Sequence, residues 1–381
     1  MDAQTNWKGH KGFSLIELMV GIVIAMLGVL VMMQVSTVFE GQKRTTTSGS
    51  DAQTNGMSAL FAIERDLRGA GYGLSKADAV GCTVTRSFRS AAATSFVLAP
   101  VTITDGASGG PDTIRTLSSS KTNWSLPSKL TSDFAQNGTN ISVNTTLGMA
   151  LGDLLVFFEA AKPCAMVEVT ALPVGSVLVS HVSAGSNWNP ADPATVLPAT
   201  GYIRGAVLIN MGSLGDRTFS VDGSSNLTLG TYASGTNTTS SQTVAPNIVN
   251  LQAQYGFDTR PGVQTDIRVD RWSSTMFNAD GDATTGNSGD IARMIAVRIA
   301  LVTRSAVKEK TNTAGVCDIT TSAGANYPRW MAGNPTTGVL ETTTIDVSKN
   351  PDGTANPDWQ CHRYKVFDSV IPLRNLIWKD L

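Results

Sequence analysis

The sequence predicts an α+β fold in which a long N-terminal helix, membrane-spanning in its first half, packs on an antiparallel β-sheet head with long loops. Two observations predict this arrangement. Residues 18–39 contain no charged side chain, and about 20 apolar residues are enough for a helix to span a bilayer. From residue 74 onward, Ser, Thr, Gly and Asn are abundant and apolar residues form short runs between turn-forming residues, which is typical of strands.

The apolar helix is predicted to begin after a short charged leader. Lys8 and Lys11 precede it, which places the N-terminus on the cytoplasmic side of a membrane. A single carboxylate, Glu17, lies near the start of the apolar segment, where an unpaired charge is costly and usually marks a function. An ordinary secretory signal peptide would have a shorter apolar region, of about 7–15 residues. A plain membrane anchor explains the length but not Glu17 or the junction between Gly12 and Phe13.

The second half of the helix, residues 40–73, is predicted to be amphipathic. Residues 42–50 are mostly polar, β-branched or Gly, so a kink or short break is expected there, with Ser50 or Asp51 capping a new helical stretch. Residues at i, i+3, i+4 spacing then form one face of the helix, and the Gly-rich residues 69–73 end it. That face consists of Met57, Leu60, Phe61, Glu64 and Leu67.

Residues 74–381 are predicted to form a single β-rich head domain. The clearest strand is residues 294–303, whose odd positions from Ile295 to Leu301 are apolar while Arg298 faces the other way, as in a half-buried strand. The predicted strands are residues 95–104, 153–159, 165–170, 176–182, 202–210, 218–221, 248–257, 294–303 and 363–371.

Three segments of the head are predicted to be surface loops. Residues 184–200 and 234–243 are low in complexity, and residues 305–360 are weakly patterned. The four cysteines allow three pairings, and disulfides persist in an oxidising periplasm. The pairing of Cys82 with Cys164 and of Cys317 with Cys361 is favoured because it closes the shorter loops; cysteines that stay reduced or buried are the alternative.

Charge and motifs argue against several other functions. The formal net charge is −1 and long blocks of like charge are absent, so no nucleic-acid partner is predicted. The sequence GASGG at residues 106–110 matches the pattern of a hydrolase nucleophile, but that motif needs a following helix, and Pro111-Asp112 comes next. A flexible turn is the interpretation we favour, and neither an enzyme nor a cofactor is predicted.

Residues 278–290 are rich in oxygen ligands, which hard cations prefer. Asp280, Asp282 and Asp290 are therefore weak candidates for a calcium site. An EF-hand loop would need Gly in place of Ala283 and Glu in place of Gly289, so a solvated turn without metal is the favoured interpretation.

The N-terminal residues resemble the class III signal of type IV pilins and type II secretion pseudopilins. The resemblance rests on residues 11–17, KGFSLIE, followed by the uncharged run. It implies that a prepilin peptidase cleaves between Gly12 and Phe13 and that the new N-terminus at Phe13 is methylated. It also implies that Glu17 pairs with the N-terminal amine of a neighbouring subunit, where two opposite buried charges partly offset each other's desolvation.

Three further segments resemble PilW-type minor pilins of the type IV pilus. They are AIERDLRGAGY at residues 62–72, PNIVNLQAQYG at residues 246–256 and RYKVFDSVIPLRN at residues 363–375. This resemblance implies a pilin-like fold with a leader at 1–12, a membrane or filament-core helix at 13–39 and a periplasmic head.

The implied function is that of a minor pilin that primes pilus assembly, with a position at the filament tip and support of twitching and adhesion as narrower expectations. The implied partners are the prepilin peptidase, the inner-membrane assembly platform, other minor pilins and the major pilin. The implied location is the inner membrane, then the cell-surface pilus. A J-like pseudopilin of a type II secretion system is the runner-up, although such subunits are generally shorter. A membrane-anchored binding or adhesion module is the third hypothesis.

Overall fold

The computed structural model describes residues 12–74, 79–121, 127–262 and 267–377. It confirms the predicted α+β class, because one long N-terminal helix is followed by mainly antiparallel sheets. The helices are α1 (Leu15–Gly69), α2 (Ser288–Ala292) and α3 (Arg374–Ile377). The strands are β1 (Thr83–Arg86), β2 (Thr94–Val97), β3 (Val101–Thr104), β4 (Thr113–Ser118), β5 (Ser128–Lys129), β6 (Asn140–Ser142), β7 (Leu154–Phe158), β8 (Cys164–Glu168), β9 (Leu178–Ser180), β10 (Val207–Gly212), β11 (Gly215–Val221), β12 (Asn226–Ala233), β13 (Thr238–Pro246), β14 (Ile248–Phe257), β15 (Arg271–Ser273), β16 (Met294–Arg304), β17 (Arg329–Gly333), β18 (Leu340–Thr344) and β19 (Tyr364–Pro372).

Helix α1 runs without interruption through residues 42–50, so the predicted kink or break there is wrong. The Thr45 hydroxyl donates to the carbonyl of Gly41 at 3.1 Å, and the Thr46 hydroxyl donates to that of Gln42 at 2.9 Å. Hydroxyls that could have bonded the backbone in a non-helical turn are thus satisfied within the helix. The remaining penalty of β-branched residues and Gly is at most about 1 kcal/mol per residue, which neighbouring helical turns offset.

The chain divides into two compact units, residues 1–50 and residues 51–381, and the strands belong to the second. A six-stranded sheet has the order β2-β1-β8-β7-β10-β5, in which β1 and β8 are parallel. A five-stranded sheet has the order β13-β12-β11-β4-β3, and a four-stranded sheet has the order β15-β14-β16-β19. Two small ladders, β17-β18 and β6-β9, complete the described sheets.

The described residues of the head form three hydrophobic cores. The main core joins the last turns of α1 to strands of the three large sheets. A second core lies on the other side of β7 and β10, where the Phe157 ring stacks on Tyr202 with centroids 4.6 Å apart. In the third core, Trp330 and Ile345 from the segment carrying β17 and β18 cover the far side of β14 and β16. Strand β16 is therefore buried on both faces, and its predicted half-exposure is wrong.

Two of the three predicted loops contain strands. Residues 234–243 include most of β13, the outer strand of the β12–β13 hairpin, and residues 305–360 include β17 and β18. The predicted strand 95–104 divides into β2 and β3, whereas β14 has the bounds that were predicted for it.

The structure contains two disulfides, Cys82–Cys164 and Cys317–Cys361, with Cα–Cα distances of 6.1 and 4.9 Å. The first joins the residue just before β1 to the first residue of β8. The second joins the segment that follows β16 to the residues just before β19.

Candidate assembly site

The start of α1 brings together the residues of the predicted processing site. Gly12, Phe13 and Ser14 precede the first helical turn and are exposed, and the Phe13 side chain is 85% exposed. Ser14 accepts from the amide of Leu18 at 3.2 Å through its carbonyl, while its own N–H donates to the Glu17 carboxylate at 3.2 Å. This is the reach-back half of a capping box, in which an acidic side chain satisfies an N–H at the helix start.

The same hydrogen bond gives Glu17 a defined position. Its carboxylate lies at the positive end of the helix dipole, which stabilises an anion there. One oxygen, Oε2, is used by Ser14, and Glu17 forms no ion pair with another described residue. The peptide bond between Gly12 and Phe13 lies immediately before this turn, in exposed backbone. The arrangement combines an accessible bond with a carboxylate that could accept from an amine of another chain.

The first unit exposes an apolar surface far larger than a soluble monomer normally shows. All side chains from residue 12 to residue 40 are exposed, including those of the uncharged residues 18–39. Helix α1 is long and apolar enough to cross a membrane by length and composition. At about 1.5 Å per residue, the uncharged run is about 33 Å long, close to the hydrocarbon thickness of a bilayer. A surface of this kind marks a membrane or protein contact.

In the second unit, α1 is buried along a different face from the predicted one. Ala59, Ile63 and Leu67 are fully buried in the main core, whereas Met57 and Phe61 are 50% and 67% exposed. The predicted amphipathic helix is present, but only Leu67 and, in part, Leu60 and Glu64 of the predicted face are covered.

The buried face begins with small residues, at Gly56 and Ala59, because β19 approaches the helix closely there. A Cβ at Gly56 would overlap the Phe367 ring of β19. Ala59 follows on the same side, and small side chains let a helix backbone approach a neighbouring element. The pattern of large apolar residues therefore misplaced the first part of the buried face, at Met57 and Phe61.

Polar contacts between α1 and the head use residues of the segment 62–72. Arg217 of β11 donates to the Asp66 carboxylate at 3.0 Å, and the Asp66 side chain is only 5% exposed. Glu64 accepts from Arg68 at 2.9 Å and from the hydroxyl of Ser369 in β19. Both carboxylates thus join the helix to strands that lie more than a hundred residues away in the chain.

The end of α1 is capped by the C-terminal segment. The Asn375 side-chain amide donates to the carbonyls of Gly69 at 3.3 Å and Ala70 at 3.0 Å, which have no partner within the helix. Gly71, in the left-handed region at φ 79°, donates its N–H to Leu117 of β4 at 2.8 Å. The structure thus brings residues 62–72 and 363–375 together. The roles of Gly56, Arg217 and Asn375 were not predicted, because each depends on a contact that is distant in sequence.

Residues 106–110 do not form a hydrolase nucleophile turn. They lie between β3 and β4 and contain a short 3₁₀ turn, with Ser108 at φ 54°. The turn is tied to β14, because side-chain amides of Asn250 and Gln252 donate to the carbonyls of Gly109 and Gly110 at 3.2 and 2.8 Å. A strand follows where the enzyme motif needs a helix.

The calcium candidates have structural partners instead. Asp290 is fully buried and accepts backbone N–H groups from Ala279 through Oδ1 and from Gly286 through Oδ2. Asp280 accepts the N–H of Asp282 at 3.0 Å. No group of three His, Cys, Asp or Glu side chains within the described ranges could hold a metal ion, so the three aspartates are not brought together as ligands.

Two family models match the chain. The model described as Type IV Pilus-assembly protein W matches residues 218–375, which run from β11 to α3, and the model described as Prokaryotic N-terminal methylation motif matches residues 7–33. No curated protein and no solved structure matches the chain.

Together with the long exposed helix and the β-rich head, these matches indicate the class of protein that the chain is similar to, the pilin-like proteins of type IV pilus assembly. Within that class, they confirm the resemblance to PilW-type minor pilins. The methylation motif and the apolar helix also support membrane anchoring.

Proposed function

We propose that the protein is a minor pilin that is processed at the inner membrane and then enters the type IV pilus, where it primes assembly. The observation that carries this proposal is the position of Glu17, held at the first turn of an exposed apolar helix directly after the Gly12–Phe13 bond. Prepilin peptidase removes the leader and creates an N-terminal amine at Phe13, which is then methylated.

The apolar part of α1 has two successive environments in this proposal. Before assembly it lies in the bilayer, where its exposed apolar side chains contact lipid. During assembly it leaves the lipid and packs against helices of other minor pilins and the major pilin. Glu17 then pairs with the N-terminal amine of a neighbouring subunit, and this pairing sets the axial register because either charge alone would be costly in an apolar surrounding.

A charge-removing substitution at Glu17 tests this role. We expect Glu17→Gln to be cleaved and inserted in the membrane like the wild type but to be depleted from sheared pili, and to fail to restore piliation in a deletion strain. Glu40→Gln is the matched control, because Glu40 is also exposed on α1 but lies beyond the uncharged run. Incorporation of Glu17→Gln at the wild-type level would refute the register role.

Deleting the gene tests the proposed system. Loss of surface pili and twitching, restored by the wild-type chain, is the expected result. Intact pili with a defect in protein secretion would indicate a J-like pseudopilin instead, and normal pili with normal secretion would favour a membrane-anchored binding module.

A further inference from the structure

A polar cavity of about 370 Å³ opens to solvent between the six-stranded and the five-stranded sheets of the head. Arg86 of β1 and Arg115 of β4 line it from the two sides, together with the rings of Phe96 and Tyr232. The proposed assembly role uses none of these residues.

The two arginines differ in how their charges are matched. Arg115 forms a bidentate pair with Asp216, at 2.8 Å from Nε and 2.6 Å from the terminal nitrogen, so its charge is neutralised in place. Arg86 forms no ion pair with any carboxylate of the described chain, and its Nε is buried without a hydrogen-bond partner. One of its terminal nitrogens donates a long hydrogen bond of 3.4 Å to the Tyr232 hydroxyl. The cavity therefore holds one uncompensated positive charge.

Aromatic rings fix the position of this charge. The Arg86 guanidinium lies 4.9 Å from the ring centre of Phe96, 5.3 Å from that of Tyr232 and 5.4 Å from that of Trp188. The faces of these rings attract a cation, but they do not accept hydrogen bonds from the N–H groups that lie in the plane of the guanidinium. Because the rings already hold the Arg86 side chain in place, it loses little rotamer freedom when a ligand binds to it.

We propose that this cavity binds a carboxylate, which Arg86 holds through the terminal N–H groups of its guanidinium that the long hydrogen bond to Tyr232 leaves free. A carboxylate monoanion matches the single uncompensated charge, and its planar geometry fits a guanidinium, as the Arg115–Asp216 pair in the same cavity shows. The rings of Phe96 and Tyr232 provide an apolar wall for the body of the ligand. The carboxylate can come from a free small molecule or from the side chain of a polypeptide.

Calorimetric titration of the full chain in detergent tests the site with three probes: glucuronate, glucose, and a capped Gly-Glu-Gly peptide. We expect saturable binding of glucuronate or of the peptide and none of glucose, which lacks the carboxylate. The probe that binds more tightly identifies the source. Absence of saturable binding of both carboxylate probes overturns the proposal.

Two variants tie the binding to Arg86. Arg86→Gln should weaken carboxylate binding at least about tenfold, since a charge-assisted hydrogen-bond donor is removed. Arg89→Gln should bind like the wild type, because Arg89 is exposed and its Nε donates to Asn187 rather than lining the cavity. If Arg86→Gln does not fold, Arg86→Lys keeps the charge and should still weaken binding, because a point charge cannot form the paired N–H contacts. Unchanged affinity in a folded Arg86 variant contradicts the proposal.

Discussion

Asp112 is a buried carboxyl that ties the turn before β4 to the central strand β14. Its Oδ1 accepts the N–H of Gly106 at 2.8 Å, and its Oδ2 accepts that of Ala253 at 2.6 Å. Burial raises the pKa of Asp112 to about 7, the neighbouring Asp105 carboxylate adds to the rise, and the two backbone donors oppose it. The folded head thus holds a proton at a pH where an exposed aspartate has lost it.

This shift makes the stability of the head depend on pH. An unfolded aspartate has a pKa near 4, so between about pH 4 and 7 the unfolded chain releases the proton while the folded chain retains it. The contribution of Asp112 to the free energy of unfolding is therefore complete below about pH 4, and it is lost as the pH rises through 7. The expected loss approaches about 1.4 kcal/mol of unfolding free energy per pH unit within this range.

Asp112→Asn removes the titration and one of the two acceptors. We expect it to destabilise the head by about 1–3 kcal/mol at pH 5, because one backbone N–H loses its partner. The difference between wild type and variant should shrink from pH 5 to pH 8, since only the wild type loses this contribution. Urea unfolding of the full chain in detergent at several pH values measures it, and a constant difference would contradict the assigned shift.

Asp66 provides a second test on single residues, because two arginines contact the same carboxylate. Arg217 reaches it from β11 with a side chain 33% exposed, whereas Arg65 is adjacent in the helix and 58% exposed. We expect Arg217→Gln to cost about 1–3 kcal/mol, since it leaves a buried carboxylate less well paired. Arg65→Gln should cost less than about 1 kcal/mol, as exposed ion pairs usually do. Equal effects in thermal unfolding would contradict the assigned docking role of Arg217.

At the scale of elements, the contact between α1 and β19 depends on a residue without a side chain. A Cβ at Gly56 would overlap the Phe367 ring, whereas nothing lies within 4 Å of a Cβ at Gly69 in the same helix. We expect Gly56→Val to destabilise the head by about 1–3 kcal/mol, as overpacking does. Gly69→Ala should be neutral or slightly stabilising, because Ala favours helix over Gly by about 1 kcal/mol. A neutral Gly56→Val in chemical unfolding would refute the close approach.

The elements that the sequence predicted well are those whose pattern is local. The apolar run of α1 and the long apolar strands β14 and β16 could be recognised from consecutive residues alone. Strand β13 could not be recognised in this way. Both of its faces carry mainly Thr, Ser and Gln, so it lacks the alternation of apolar and polar residues that distinguishes a strand from a loop. The burial of β16 on both faces was also hidden, because the segment that covers its second face is separate from it in the sequence.

The candidate assembly site also has a part that the sequence predicted and a part that it did not. Gly12, Phe13 and Glu17 lie within six residues and form a motif that can be read directly. The docking of α1 depends on Gly56, Arg217 and Asn375, whose partners are brought near only by the sheets. Helix propensity also gave a wrong prediction at residues 42–50. These residues would weaken an isolated helix, but the continuous helix α1 accommodates them.

At the scale of the whole molecule, two disulfides cross-link the head at separate places. Cys82–Cys164 lies at the main core, where Cys164 is fully buried. Cys317–Cys361 holds the long segment that carries β17 and β18, whose residues Trp330 and Ile345 form part of the third core. The segment has little regular structure of its own, so the cross-link limits its freedom in the unfolded chain and helps to keep the cover of β14 in place.

We therefore expect reduction to affect the third core. The double substitution of Cys317 and Cys361 by Ser should lower the unfolding free energy by about 2–4 kcal/mol, the usual effect of losing a disulfide that closes a loop of this length. Fluorescence of Trp330 should shift toward that of an exposed indole at lower urea than in the wild type, provided that the other tryptophans are first replaced by Phe in both proteins.

The covalent state is checked independently by alkylation and intact mass. Without reductant, the native chain should bind no alkylating reagent; after reduction and unfolding it should bind four equivalents, one for each cysteine. The Cys317/Cys361 double variant should bind two, which identifies the remaining pair as Cys82–Cys164. Alkylation of this variant without reductant would show that the remaining cysteines are not paired and would overturn the assigned connectivity.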